Sequence, residues 1–327
     1  MNEKEICHDL RHEFGKSGLA LLIYYGIMNV VVTLVAIVDA VILVLRSSTA
    51  GGVVISDAVM DQMMDRIISN GWGYILAIAI GCLLMLLWKK KHFCFVEIWK
   101  TEKPMTVGSF VALTCIFISG QALFQVFSYL MEWFFNLFGM SVMDSIEIAS
   151  STGDTLSMFL YVSIFAPVFE EILFRGLILR SLQPYGKKFA ILASAFLFGI
   201  FHGNIVQSPY AFAVGLGLGY VAVEHSMVWA MVLHMINNLL LGDTLTRVTQ
   251  FLPYWIQELI FYVLIWGCTV AAVVILIVKR REVAAYFREG KIHPLCLKSF
   301  FTSPAVIVLT CVLCSNILIT LLMQLIA

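Results

Sequence analysis

The sequence has 327 residues, of which 61% are hydrophobic and 13% are charged, and its mean hydropathy is +0.93. Soluble domains are roughly 45–50% apolar, so this composition excludes a soluble fold and predicts an integral membrane protein surrounded by the lipid bilayer. Lys and Arg together number 21, as do Asp and Glu, so the formal net charge is zero. A nucleic-acid-binding surface needs clustered excess basic charge, and the sequence therefore gives no indication of a nucleic-acid partner.

Nine apolar runs approach the length of a membrane-spanning helix, which requires roughly 17–25 residues. They lie at 19–45, 72–88, 107–138, 155–179, 187–203, 208–223, 226–245, 253–278 and 303–326. The fifth and sixth runs are short, and merging them would reduce the number of spans. The expected fold is therefore all-α, a polytopic transmembrane helical bundle of about eight to nine spans.

Basic residues are distributed unevenly between the loops that connect these nine runs. With the N-terminus in the cytoplasm, 17 of the 21 Lys and Arg residues would lie in cytoplasmic loops. Three would lie in outside loops, namely Arg46, Arg66 and Arg247, and Arg175 lies within a span. Because cytoplasmic loops are enriched in Lys and Arg, this distribution predicts a plasma-membrane protein with its N-terminus in the cytoplasm and its C-terminus outside.

The fourth apolar run contains three ionisable residues, Glu170, Glu171 and Arg175, within the segment APVFEEILFRGLIL. A charged side chain within a span is costly, so it is expected to face a cavity or a partner. Glu171 and Arg175 are four residues apart, which predicts an ion pair on one helix face. Glu170 points about 100° away around the helix, so this pair does not neutralise it, and it is a candidate general base. A purely structural clamp is the alternative for Glu171 and Arg175.

The fifth and seventh runs add two imidazoles and an amide. His202 follows the segment SAFLFGIF, and His234 and Asn238 share one face of the segment MVWAMVLHMINNLLLG. Taken singly, a packed imidazole or an interhelical hydrogen bond is the ordinary interpretation of each. Together with Glu170, however, they supply a water activator and hydrogen-bond donors for an oxyanion, and peptide-bond hydrolysis needs both.

The same residue types also fit a zinc site. Glu170, His202 and His234 would form a set of two histidines and one carboxylate with an open coordination position. However, the sequence contains neither H-E-x-x-H nor H-x-x-E-H, the usual helix-borne signatures of zinc proteases. Zinc therefore stays an alternative at this point.

At these residues the chain resembles the CPBP family of membrane proteins, also called Abi, which includes CAAX proteases and bacteriocin-processing proteins. The shared motifs are E-E-x-x-x-R from Glu170 to Arg175, F-x-x-x-H from Phe198 to His202, and H-x-x-x-N from His234 to Asn238. We therefore divide the chain into three regions. These are N-terminal spans at 1–150, about three helices with an extracytoplasmic loop at 47–71, a CPBP/CAAX-protease-like core at 155–245, and C-terminal spans at 250–327.

The resemblance implies an intramembrane endopeptidase that acts on a membrane-associated peptide or protein tail. It implies that Glu170 and His234 activate the attacking water, while His202 and Asn238 stabilise the oxyanion. It also implies a helical bundle with a cone-shaped cavity open to the membrane and the cytoplasm.

The resemblance further implies that Glu171 and Arg175 support the site. It favours a metal-free glutamate mechanism without a cofactor, although the family is often labelled as metalloproteases. A non-catalytic bacteriocin-immunity or peptide-binding membrane protein is a second hypothesis. A transporter is a third, but we find no inverted repeat, and the polar residues are concentrated in one third of the sequence.

Overall fold

A computed structural model describes residues 3–47, 57–150, 155–241 and 244–326. In chain order the helices are α1 (Glu3–Ser47), α2 (Asp57–Ser69), α3 (Gly71–Leu87), α4 (Lys91–Phe95), α5 (Val107–Asn136), α6 (Met143–Ser150), α7 (Leu156–Tyr185), α8 (Lys187–Phe201), α9 (Gln207–Glu224), α10 (Met227–Leu241), α11 (Thr244–Thr249), α12 (Tyr254–Val278), α13 (Arg280–Arg288), α14 (Pro294–Phe301) and α15 (Pro304–Ile326). The described ranges contain no strand, so the predicted all-α class is confirmed.

Five of these helices are long and apolar enough to cross a membrane, namely α1, α5, α7, α12 and α15. A sixth span is possible if Met60–Ile67 and Gly71–Leu87, which are bent by 44° relative to each other, count as one. The structure thus supports an integral membrane protein and shows five to six candidate spans by length and composition, fewer than the eight to nine expected from the sequence. The difference arises partly because α8 and α10 have 15 residues each, about 22 Å of helix, which is shorter than the hydrocarbon core.

The segment at 47–71, in which the sequence favours a short helix, contains α2 at Asp57–Ser69. Residues 48–56 of that segment lie outside the described ranges, as do residues 242 and 243 of the predicted core.

Helix α7 forms the centre of the bundle. Its side chains from Leu173 to Leu179 are almost fully buried against α8 and other helices. Helices α8 and α9 pack closely because α9 presents glycines to α8. A Cβ atom on Gly215 would lie 3.2 Å from Ala195, and one on Gly219 would lie 3.1 Å from Ile191. This packing brings the last turn of α8 next to the middle of α7, where the ionisable residues lie.

The segments that follow α4, α7 and α9 meet at one end of the bundle, which we call the basic end. Lys103 Nζ lies 2.9 Å from Glu224 Oε2, and Lys187 Nζ lies 3.3 Å from Glu224 Oε1. Arg180 Nη2 donates to the carbonyl oxygen of Lys100 at 3.0 Å. The cationic loop residues that the sequence places at separate positions are therefore neighbours in the fold.

The other end of the bundle, which we call the opposite end, is formed by different connections. Thr155 Oγ1 donates to the carbonyl oxygen of Ser69 at 2.7 Å, which joins the start of α7 to the end of α2. Asn204 Nδ2 donates to the carbonyl oxygen of Ser145 at 2.9 Å, which joins the α8–α9 loop to α6. The two ends of the bundle thus differ in charge as well as in connectivity.

Candidate active site

Helix α7 changes its hydrogen-bonding pattern where the paired glutamates lie. It is π-helical over Tyr161–Phe165 and Glu171–Leu179, and the intervening α-helical turn, Ala166–Glu170, ends at the first glutamate. Such π-bulges are rare and are frequent at functional sites, because the extra residue in a turn redirects the side chains that follow. The change from α-helical to π-helical hydrogen bonding therefore falls at the Glu170–Glu171 pair, which is typical of a functional site.

The predicted ion pair between Glu171 and Arg175 is present. Arg175 Nη1 lies 3.1 Å from Glu171 Oε1, and both side chains are fully buried. Arg175 Nη2 donates to the carbonyl oxygen of Gly215 at 3.3 Å, and the guanidinium lies 4.2 Å from the ring centroid of Phe198. Even so, Arg175 Nε, Arg175 Nη1 and Glu171 Oε2 have no hydrogen-bond partner with suitable geometry. A buried pair with unsatisfied polar atoms is not explained by stability alone.

His234 on α10 lies between the two glutamates. Its Nδ1 is 2.9 Å from Glu171 Oε1, and its Nε2 is 3.8 Å from Glu170 Oε2. The His234 side chain is 4% exposed, whereas the Glu170 side chain is 26% exposed. Glu171 thus holds one edge of the imidazole ring from the buried side, and the other edge faces a carboxylate that solvent can reach.

His202 occupies the C-terminal end of α8. Its Nδ1 lies 2.8 Å from the carbonyl oxygen of Phe198, and since a carbonyl only accepts, Nδ1 carries the proton. The Phe198 ring contacts both imidazoles edge to face, with centroid distances of 4.7 Å to His202 and 5.7 Å to His234. Phe198 therefore contacts both histidines and fixes the orientation of His202 through its backbone and its ring.

Asn238 lies one turn after His234 on α10. Its Nδ2 donates to the carbonyl oxygen of Val162 at 2.9 Å, within the first π-helical stretch of α7. Its Oδ1 accepts from Asn237 Nδ2 at 3.4 Å. The amide oxygen of Asn238 is therefore engaged by Asn237, and the second N–H of Asn238 Nδ2 is left as a donor.

A buried amide and hydroxyl network, which sequence reasoning missed, lies behind Asn238. Asn237 Oδ1 accepts from Gln121 Nε2 and from Tyr210 Oη, each at 3.0 Å, and Gln121 Nε2 also lies 3.1 Å from Tyr210 Oη. Gln121 belongs to α5, outside the predicted core. An amide in an otherwise apolar span was the available signal, since polar side chains in spans are expected to face partners.

One cavity of about 660 Å³ collects the four residues with proposed chemical roles: Glu170, His202, His234 and Asn238 all line it. Glu171 and Arg175 do not line this cavity and lie behind it. The rest of its wall includes an aromatic set of five tyrosines, at positions 24, 25, 74, 161 and 210. Its volume falls within the usual range of ligand sites, about 300–1,000 Å³.

The geometry of Glu170, His202 and His234 bears on the alternative of a zinc site. Within the described ranges no group of three or more His, Cys, Asp or Glu side chains lies close enough to hold a metal ion. Glu170 Oε2 and His234 Nε2 lie 3.8 Å apart, but His202 does not join them in such a group. Within this part of the chain the candidate ligands therefore do not fit a three-ligand zinc site.

The fold and the cavity define a helical membrane protein with a carboxylate, two imidazoles and an amide at a buried site. The family of type II CAAX prenyl endopeptidases, Rce1-like, matches residues 152–240, a range that includes all four of these residues. The chain therefore carries an Rce1-like domain of the CPBP/Abi family, which is a family of intramembrane proteases, and the predicted resemblance is confirmed. No curated protein and no solved structure gives a significant match to the chain.

Proposed function

We infer that the protein is an endopeptidase that hydrolyses a peptide bond of a membrane-associated peptide or protein tail within the cavity. One observation carries this proposal: the accessible carboxylate of Glu170 lies 3.8 Å from His234 Nε2, on a cavity wall shared with His202 and Asn238. A general base, a positioned imidazole and two candidate oxyanion donors thus face the same space.

Glu170 acts as the general base. Its carboxylate accepts a proton from a water molecule as the oxygen attacks the scissile carbonyl carbon, and it later returns that proton to the amine leaving group. Because Nδ1 carries the ring proton toward Glu171, Nε2 of His234 accepts a hydrogen bond from this water and orients it beside the carboxylate. Glu171 Oε1 accepts from His234 Nδ1 and fixes the ring, and Arg175 balances the buried charge of Glu171. Glu171 and Arg175 are therefore positioning residues rather than catalytic residues.

His202 and Asn238 stabilise the oxyanion that forms at the attacked carbonyl. Asn238 donates from Nδ2, and His202 donates from Nε2. Because His202 Nδ1 already holds a proton toward Phe198, donation from Nε2 requires the doubly protonated ring. The negative charge of the oxyanion favours that protonated form, so the imidazolium is a matched donor in the transition state.

We also propose a topology for the whole chain. The bundle contains eight to nine spans, with the short helices α8, α9 and α10 counted among them. The N-terminus is cytoplasmic, which is supported by the 17 Lys and Arg residues in the loops on that side.

The proposal is tested with purified protein in proteoliposomes and a fluorogenic reporter peptide. Glu170→Gln and His234→Ala should each lower turnover by a factor of about 10² or more, the usual contribution of general acid–base catalysis. Glu258→Gln, an exposed carboxylate on α12, is the matched control and should retain activity. Unchanged turnover in Glu170→Gln would refute the assignment.

Two further outcomes separate the alternatives. Activity that persists in the presence of a chelator supports the glutamate mechanism, whereas a loss that added zinc reverses would establish a zinc-dependent form. A non-catalytic immunity or peptide-binding protein would bind the reporter without cleaving it. Comparing the membrane and secreted peptides of cells that express the wild type or Glu170→Gln would identify the substrate.

A further inference from the structure

The cavity occupies the same half of the bundle in every helix that lines it. Helix α3 contributes Tyr74 and Ile78, near its first residue, and α9 contributes residues between 207 and 214, at its start. Helices α8 and α10 run the other way, and they contribute residues 198–202 and 234–238, at their ends. All four helices thus place the cavity toward the opposite end defined above.

The distance from the basic end follows from helix geometry. His202 comes 14 residues after Lys188 along α8, which corresponds to about 21 Å at the rise of an α-helix. The cavity reaches the protein surface at Asn29 and at Ile148, which is 64% exposed on α6. Both residues lie on the side of the bundle away from the lysines.

The floor of the cavity is closed toward the basic end. Phe174 lines the cavity and is 1% exposed, and Leu173 and Leu177, which are 1% and 4% exposed, line a second cavity instead. A separate cavity of about 360 Å³ lies at the basic end, lined by Lys16 and Lys89 among others. It contains none of the four residues with proposed chemical roles.

We propose that the cavity receives its peptide from the extracytoplasmic side, so that the substrate is a segment of an exported or outer-leaflet peptide chain rather than a cytoplasmic prenylated tail. Lys and Arg mark the cytoplasmic side, and they collect at the basic end, whereas only Arg46, Arg66 and Arg247 belong to the opposite end. The cavity opens at the end that the charges assign to the exterior. This contrasts with the cytoplasmic opening expected from the family resemblance, and the substrate class rests on the proposed protease function.

The side of opening is tested without any catalytic readout. Single variants Gln207→Cys, inside the cavity, and Ile148→Cys, at its rim, are compared with Lys90→Cys, an exposed control at the basic end. Right-side-out and inside-out vesicles are treated with a membrane-impermeant maleimide, and the labelling of the wild type is subtracted.

We expect Gln207→Cys and Ile148→Cys to be labelled in right-side-out vesicles and to lose that labelling in inside-out vesicles. Lys90→Cys should show the reverse pattern. Labelling of Gln207→Cys only in inside-out vesicles would overturn the proposal. So would a Gln207→Cys variant that reacts in neither orientation while Ile148→Cys reacts, because the cavity would then be closed to the exterior.

A second measurement assigns the substrate side. A pool of hydrophilic fluorogenic peptides is added to the two vesicle types, with Glu170→Gln as the inactive reference. Cleavage in right-side-out vesicles alone supports extracytoplasmic access, and cleavage in inside-out vesicles alone refutes it while the protease function stands. If cysteine labelling shows an exterior opening and Glu170→Gln cleaves like the wild type, the opening is established and the proposed catalytic function fails.

Discussion

Replacing Arg175 with methionine should destabilise the protein strongly. The guanidinium lies 3.1 Å from Glu171 Oε1 in a site from which solvent is excluded. Methionine fills similar space but leaves the carboxylate buried with His234 as its remaining close partner. Removing one member of a buried ion pair costs about 3–5 kcal/mol, and the lost contact over the Phe198 ring is worth up to about 2 kcal/mol within that total.

The double variant Glu171→Leu/Arg175→Met separates the charge effect from simple packing. Removing both charges also removes the three polar atoms that lack hydrogen-bond partners, so the double variant should lose much less stability than Arg175→Met alone. Unfolding in detergent micelles can be followed by the fluorescence of the seven tryptophans. A double variant that loses the sum of the two single effects would refute the coupling.

Activity of the same double variant distinguishes a positioning pair from a structural clamp. Without Glu171, His234 Nδ1 has no carboxylate to hold the ring, so a folded double variant should still be inactive. A stable and fully active double variant would mean that the pair acts only in packing, and the positioning role would be wrong.

Three other predictions use the same unfolding measurement. Gly71→Ala places a Cβ 2.2 Å from the backbone of α7 and should cost about 1–3 kcal/mol, whereas Gly26→Ala, with nothing within 4 Å, should be neutral or stabilising. Tyr210→Phe removes a donor to Asn237 and should cost about 0.5–1.5 kcal/mol. Burial acts to raise the pKa of Glu224, but hydrogen bonds and charges from two lysines outweigh burial and hold the pKa below its ordinary value of 4.5. This stabilisation is present above pH 4.5 and is lost as the pH falls through the folded-state pKa, so Glu224→Gln should flatten that part of the profile. An unchanged acid limb in Glu224→Gln, or equal effects of the two glycine variants, would contradict the packing described here.

The contacts that depend on helix periodicity could be predicted from the sequence. A spacing of four residues placed Glu171 and Arg175 on one face, and the structure contains that pair. The position of His234 between two carboxylates required knowledge of how α10 packs against α7, and spacing along the chain contains no such information. The hydrogen bond from Gln121 to Asn237 is still harder to predict, because Gln121 lies on α5, a helix that carries no motif residue.

The number of spans illustrates a different limit. The length of an apolar run identifies a helix that faces lipid, because hydrocarbon surrounds such a helix and favours apolar residues along the whole span. Helices α8, α9 and α10 are packed inside the bundle, where neighbouring helices rather than lipid cover them, and short or glycine-containing segments satisfy that requirement. The sequence therefore identified the segments as helices but left their relation to the bilayer open.

The direction of substrate access depends on combining two kinds of information. Loop charges indicate which end of a helix is cytoplasmic, but they do not reveal where a cavity lies along it. The packing of the helices places the cavity along each of them. Because α8 carries Lys187 and Lys188 at its first residues and is followed directly by His202 at its C-terminal end, one short helix connects both observations. Reversing the orientation would move every basic loop that meets at Glu224 to the exterior. The proposal of an extracytoplasmic cavity therefore depends directly on the charge distribution of the loops.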